Sequence, residues 1–125
     1  MKLAKVSEDR FYESTEYWEV PLEFAETMFN YLVHGFSPGG FFTAVLANDY
    51  HGAIGRSHPL NTIEALKALS RWIVNCMPRE AFGSYDAVNK WCDATPAHRR
   101  KALEQKELIY TPKEETWLAV KGETV

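Results

Sequence analysis

Apolar residues recur at three- and four-residue spacing through the middle of this chain, and that period predicts helices. Pro21 suits a helical first turn, and Phe24, Ala25, Met28, Phe29 and Leu32 form one apolar stripe opposite Glu23, Glu26, Thr27 and Asn30, ending near Gly35. The run Gly35-Phe36-Ser37-Pro38-Gly39-Gly40 is turn chemistry. Ser37 as N-cap and Pro38 at the first helical position place Gly39 and Gly40 in the opening turn of a second helix, which runs through Phe42, Val45 and Leu46 towards Ile54. Its start is apolar nearly all round, so Phe41 to Ala47 is expected at the middle of the core. Asn61 with Glu64 resembles a capping box at the head of a third helix, whose buried side carries Ile63, Leu66, Leu69, Trp72, Ile73 and Cys76 before Pro78 stops it. Ser84 is expected to cap a short fourth helix with Tyr85, Val88, Trp91 and Cys92, and Thr95-Pro96 to open a superficial fifth.

The two ends break this period. The aromatic segment Arg10 to Val20 reads as an extended arm, and the tail alternates at Leu108-Ile109-Tyr110 and Trp117-Leu118-Ala119-Val120. The expectation is a mainly α fold, a compact bundle of about four to five helices with room for a small β-sheet joining arm and tail. No repeat or linker divides the chain, so 1–125 reads as one domain: arm 1–20, helical core 21–94, and basic helix with tail 95–125.

Composition sharpens this picture. A hydrophobic fraction of 46% with four Trp, six Tyr and seven Phe is enough for a core without metals or cross-links. Fourteen Lys and Arg against seventeen Asp and Glu give a net charge of -3, which argues against wholesale binding to nucleic acid or anionic membrane. Cys76 and Cys92 read as reduced core residues. Neither a secretory h-region nor an apolar run of roughly 20 residues appears, so the cytoplasm is the expected compartment.

Ser37, Gly39 and Gly40 form the leading candidate site, because a helix start exposes unpaired N–H groups and two glycines permit close approach by an anion. Arg56 or Lys67 would supply the added donors a phosphate needs. A purely structural reading, a tight turn beneath a crowded core helix, stays open. Asn48, Asp49, Tyr50 and His51 gather polar groups at the end of the second helix, with Arg56 and His58 just beyond. There Asp49 would orient a ligand hydroxyl and Arg56 a phosphate, or the two would form a structural ion pair. His34, His51, His58 and His98 show no metal spacing, and no nucleophile elbow appears, so no catalytic residue, metal or cofactor is expected. Lys90 and His98-Arg99-Arg100-Lys101, continuing to Lys106, make the one basic concentration, either a solvated helix face or a contact for nucleic acid or a phosphorylated ligand.

The run Val33-His34-Gly35-Phe36-Ser37-Pro38-Gly39-Gly40-Phe41-Phe42-Thr43-Ala44-Val45-Leu46-Ala47-Asn48-Asp49-Tyr50, with Gly55-Arg56, Asn61, Ala65-Leu66 and Gly83-Ser84, resembles small accessory proteins of tailed bacteriophages. It covers roughly the middle half of the chain; the arm before Pro21 and the tail after Thr95 look like additions. The resemblance implies an origin in tailed phages, whose small proteins of this kind are largely without an assigned activity; by analogy with phage accessory proteins, the expectation is a protein acting in the host cytoplasm against antiviral defence, some such proteins resembling sponges that hold a nucleotide signal between identical subunits. Together with the glycine-rich helix start, Arg56 and the aromatic surplus, this makes the leading expectation a homo-oligomer that binds a small phosphorylated nucleotide without cleaving it, at Ser37, Gly39, Gly40, Asn48, Asp49 and Arg56. Two other readings stand beside it: a module that inhibits a host or phage protein directly through its two ends, and a small hydrolase of a nucleotide signal.

Overall fold

The computed structural model describes residues 1–58 and 61–123, and among these the chain is all α-helical. In order the helices are α1 (Lys5–Tyr17), α2 (Leu22–His34), α3 (Gly40–Leu46), α4 (Tyr50–Arg56), α5 (Ile63–Cys76), α6 (Tyr85–Asp93), α7 (Pro96–Gln105) and α8 (Pro112–Glu123). A 3-10 turn, Arg79–Ala81, sits between α5 and α6. The last two residues of the tail lie outside the described residues.

The core is centred on α2, whose Ala25, Met28, Tyr31, Leu32 and Val33 are all buried and which touches α1, α6 and α7. Tyr31 ties the helix to its surroundings with two bonds: its hydroxyl donates to the Ala81 carbonyl at 2.8 Å, and its own carbonyl accepts from the Trp91 indole at 3.1 Å. From α3 only Ala44, Val45 and Leu46 are buried, while Phe41 and Phe42 are partly covered. Of the expected Phe41 to Ala47 centre, Ala44 to Ala47 are in the buried core and Phe41 and Phe42 pack against it.

Several expectations are corrected. The arm is helix α1, and its inner face is Ser7, Phe11 and Thr15 at four-residue spacing. Two of these three are polar, which hides the helical period; each is satisfied internally, Thr15 by donating to the Tyr12 carbonyl at 2.8 Å and Ser7 by accepting from the Tyr110 amide at 3.0 Å and donating to Glu115. The tail is helix α8, so the sheet is replaced by a helix pair in which α8 packs on α1. Among the described residues no strand forms. The long second helix is two short ones, and α5 is capped by Thr62 rather than Asn61, through a 3.0 Å bond from the Ala65 amide. The caps at Ser84 and Thr95 form as expected, accepting from Ala87 at 3.0 Å and His98 at 3.1 Å. Helix α7 is not wholly superficial, since Arg99, Ala102 and Leu103 are buried.

Four helices end alike. A residue in the left-handed region is followed by an amide that reaches back five residues or so, as at Gly35 (φ 71), where Phe36 N–H donates to the Asn30 carbonyl at 3.2 Å. At the ends of α1, α3 and α7 that residue is Glu19 (φ 62), Asn48 (φ 64) and Glu107 (φ 59), followed by bonds of Val20 to Thr15, Asp49 to Ala44 and Leu108 to Leu103 at 3.0, 2.8 and 3.1 Å. A side chain at such a position costs roughly 1–2 kcal/mol, more than the roughly 0.5–1 kcal/mol of extra chain entropy that glycine loses on folding. Glu19→Gly should therefore raise stability by about 0.5 kcal/mol, read as a higher urea midpoint at unchanged slope; a lower midpoint contradicts this.

Candidate functional site

The structure divides the sequence-derived site. Ser37 and Pro38 lie in the loop before α3, and Gly39 (φ 87), not Ser37, occupies the N-cap position. Asn48 is the left-handed residue that ends α3. Gly40, Asp49 and Arg56 do come together, because α3 packs on α4 and the Arg56 side chain reaches Gly40. A Cβ at Gly40 would meet Arg56 Cδ at 3.2 Å, and one at Gly52 would collide with Asp49 Oδ2 and meet Arg56 Nη1 at 2.7 Å. The Arg56 side chain thus lies across both glycines.

Asp49 is a cap before it is anything else. Its Oδ1 accepts from the Gly52 amide at 2.9 Å and its Oδ2 from the Tyr85 hydroxyl at 2.6 Å. The Tyr85 hydroxyl, then the Gly52 amide, hold its carboxyl below the usual carboxylate range, with Arg56 and His51 adding to the effect. Tyr85, placed in the sequence only as a helix residue, is the member of this cluster that periodicity did not reveal. Arg56 stands near Asp49 without a direct ion pair among the described residues. The corner is exposed and its carboxylate is already satisfied, and α3 is only seven residues long, so its dipole is short.

The basic run is dealt out by helical geometry to three different tasks. Arg99 points inward and is 4% exposed, its Nε donating to the Val33 carbonyl at 3.3 Å and its Nη1 to the Ala94 carbonyl. Arg100 turns to the opposite flank, bonding Glu104 at 3.0 Å, Glu115 at 2.7 Å and the Tyr110 carbonyl at 3.1 Å, and so joins α7 to α8. His98, Lys101 and Lys106 face outward, where with Arg79, Glu80 and Gln105 they surround a cleft of about 510 Å³ against Pro78 and Ala102. His98, Lys101, Ala102 and Gln105 share one face by their three- and four-residue spacing. Along this lining His98 Nε2 meets Glu80 Oε1 at 2.8 Å.

His34 sits edge-on to Phe29 and tilted against Phe36, with ring centroids 5.8 and 5.4 Å away. Burial lowers its pKa below the ordinary histidine value, and the N-terminal ammonium and Arg99 push the same way. The unfolded chain therefore takes up a proton more readily than the native one. The stability that neutral His34 contributes is complete above about pH 6.5 and is lost as pH falls through the native value. An NMR titration should place the His34 midpoint below that of an unfolded peptide, and a midpoint above it contradicts this.

Cys76 and Cys92 are free and partly buried; burial, then Asp93, pushes the Cys92 thiol up, away from a reactive thiolate. Among the described residues no group of three or more His, Cys, Asp or Glu converges on a metal position, and no helix is long and apolar enough to cross a membrane. No protein-family model, curated protein or solved structure matches the chain.

Proposed function

We propose that this chain is a non-enzymatic binding protein for a small phosphorylated nucleotide, taken up in the cleft between the 3-10 turn and α7. The observation that carries the reading is the convergence of Arg79, His98, Lys101 and Lys106 on one cavity of about 510 Å³ with an apolar floor at Pro78 and Ala102. That volume is typical of small-molecule sites, and cations on an apolar floor suit a phosphate attached to a ring. The α3–α4 corner with Gly40, Asp49 and Arg56 is the alternative location. In the setting that the phage resemblance implies, the protein holds a nucleotide immune signal in the host cytoplasm and so blunts antiviral defence. Exposed Phe36 and Ile54 near α3 and α4 offer apolar surface for self-association.

The oriented His98–Glu80 pair favours one second reading, hydrolysis of the bound nucleotide, because a carboxylate-held imidazole is a common general base. Direct inhibition of a protein through the ends is favoured by exposed Tyr17, Leu22, Trp117 and Val120 on α1, α2 and α8. Calorimetry with ADP, ADP-ribose and cyclic di-AMP separates these readings. At least one is expected to bind with a Kd of about 1 μM, Lys101→Glu to weaken it by about tenfold or more, and chromatography to recover the ligand unchanged. A new product would move the reading to hydrolysis, and no binding by any of the three would overturn the nucleotide reading.

A further inference from the structure

The cleft has a neighbour of different chemistry. A second cavity of about 230 Å³ lies beyond the His98–Glu80 pair, lined by those two residues with Lys90, Trp91 and Ala94. The pair is therefore a partition between two compartments, since both of its members line both cavities. One side is strongly cationic. The other has an indole, a methyl group and a carboxylate, and its single lysine is engaged by Asp86 at 2.9 Å on the same helix. A phosphate gains nothing from leaving Arg79, Lys101 and Lys106 in the first compartment for the second, whose one lysine is already paired. A neutral ring bearing N–H or O–H donors is suited to the second, because Glu80 is an anionic acceptor and Ala94 and the Lys90 stem, over the buried Trp91, supply apolar surface.

Resting on the nucleotide reading of the cleft, we infer that the two cavities form one bipartite site that selects nucleoside phosphates over inorganic phosphates. The phosphates lie among Arg79, Lys101 and Lys106. The ribose or base crosses the partition and donates to Glu80. His98 occupies Glu80 Oε1, and among the described residues no partner takes Oε2, which is left for the ligand. The partition opens readily because both side chains are about half exposed, at 56% and 46%, and an exposed polar contact between side chains is weak.

The test is calorimetry on the full chain with two probes, ADP and pyrophosphate, for the wild type, Glu80→Gln and Lys101→Glu, with thermal melts to confirm that each variant is folded. The bipartite site predicts that wild type binds ADP at least about tenfold tighter than pyrophosphate. Glu80→Gln should cut that ratio by about fivefold or more without weakening pyrophosphate, and Lys101→Glu should weaken both probes. In NMR the Ala94 amide should shift with ADP and stay in place with pyrophosphate. Equal affinity for the two probes, or equal weakening of both by Glu80→Gln, would overturn the second compartment while leaving the cationic cleft intact. Failure of both probes to bind the wild type would overturn the cleft reading and this inference together.

Discussion

Arg99→Met is expected to cost about 3 kcal/mol of stability, a fall in Tm of about 10 °C. Arg99 is 4% exposed, and among the described residues no carboxylate pairs with it; its guanidinium bridges backbone carbonyls at two helix ends, Val33 in the last turn of α2 and Ala94 at the C-cap of α6. Helix C-termini carry unpaired carbonyls and partial negative charge, so a buried cation there satisfies both the hydrogen-bonding and the electrostatic need. A buried ion pair can be replaced by apolar residues at little cost because both partners go together. Here the carbonyls stay when the arginine leaves, and each orphaned acceptor costs roughly 1–3 kcal/mol. Methionine keeps much of the stem volume, so the loss reads capping rather than packing, and lysine, with a single ammonium in place of the planar fork, should recover only part of it. Gly35 is coupled to the same group: it is left-handed, and a Cβ there would come within 2.8 Å of Arg99 Nη1. Urea unfolding checks the prediction, and a loss below about 1 kcal/mol contradicts the capping role.

Trp72→Ala should be at least as severe, about 3–5 kcal/mol, the usual range for a large aromatic deleted from a core. Trp72 is fully buried and meets Phe11 edge-on, with centroids 5.7 Å apart and planes at 71°. Its indole N–H donates to Ser14 Oγ at 3.0 Å, so this one side chain locks α5 to α1 by both apolar and polar contact. Trp72→Phe keeps a ring against Phe11 but leaves Ser14 without its donor and should lose about 1–2 kcal/mol. Similar losses in the two variants would show that the bond to Ser14, rather than ring packing, makes the larger contribution.

The sequence disclosed helices wherever the inner face was apolar. Leu69, Trp72 and Ile73 marked α5 and Met28 with Leu32 marked α2, because burial selects apolar side chains at helical spacing. It hid α1 because Ser7 and Thr15 occupy buried positions, and the bonds that satisfy Ser7 come from α8 and the segment before it, more than a hundred residues away. Helix α8 was hidden for the converse reason: Trp117 and Val120 are exposed, so its apolar residues do not mark its buried side. A local signal for it was nonetheless present. Thr111-Pro112-Lys113-Glu114 closes a reciprocal capping box, with Thr111 N–H donating to Glu114 Oε1 at 3.0 Å and Glu114 N–H to Thr111 Oγ1 at 3.2 Å.

The site was legible to the same degree. Gly40, Asp49 and Arg56 were grouped from proximity along the chain, and the packing of α3 on α4 keeps such neighbours together. Tyr85 joins them across 36 residues by a tertiary contact that no local pattern encodes. The basic run at His98 to Lys106 was visible, yet its division among core, flank and cleft depends on which face of α7 meets α2, and the opposing wall at Arg79 and Glu80 comes from a turn that only the fold brings near.

The most direct test of the cleft as the ligand site is an amide chemical-shift map of the full chain titrated with ADP. Binding in the cleft predicts the largest shifts at Arg79, Glu80, His98, Lys101 and Gln105, with Gly39, Gly40 and Arg56 nearly unmoved. Shifts centred on Gly39, Gly40 and Arg56, with the cleft silent, would contradict it and return the site to the α3–α4 corner.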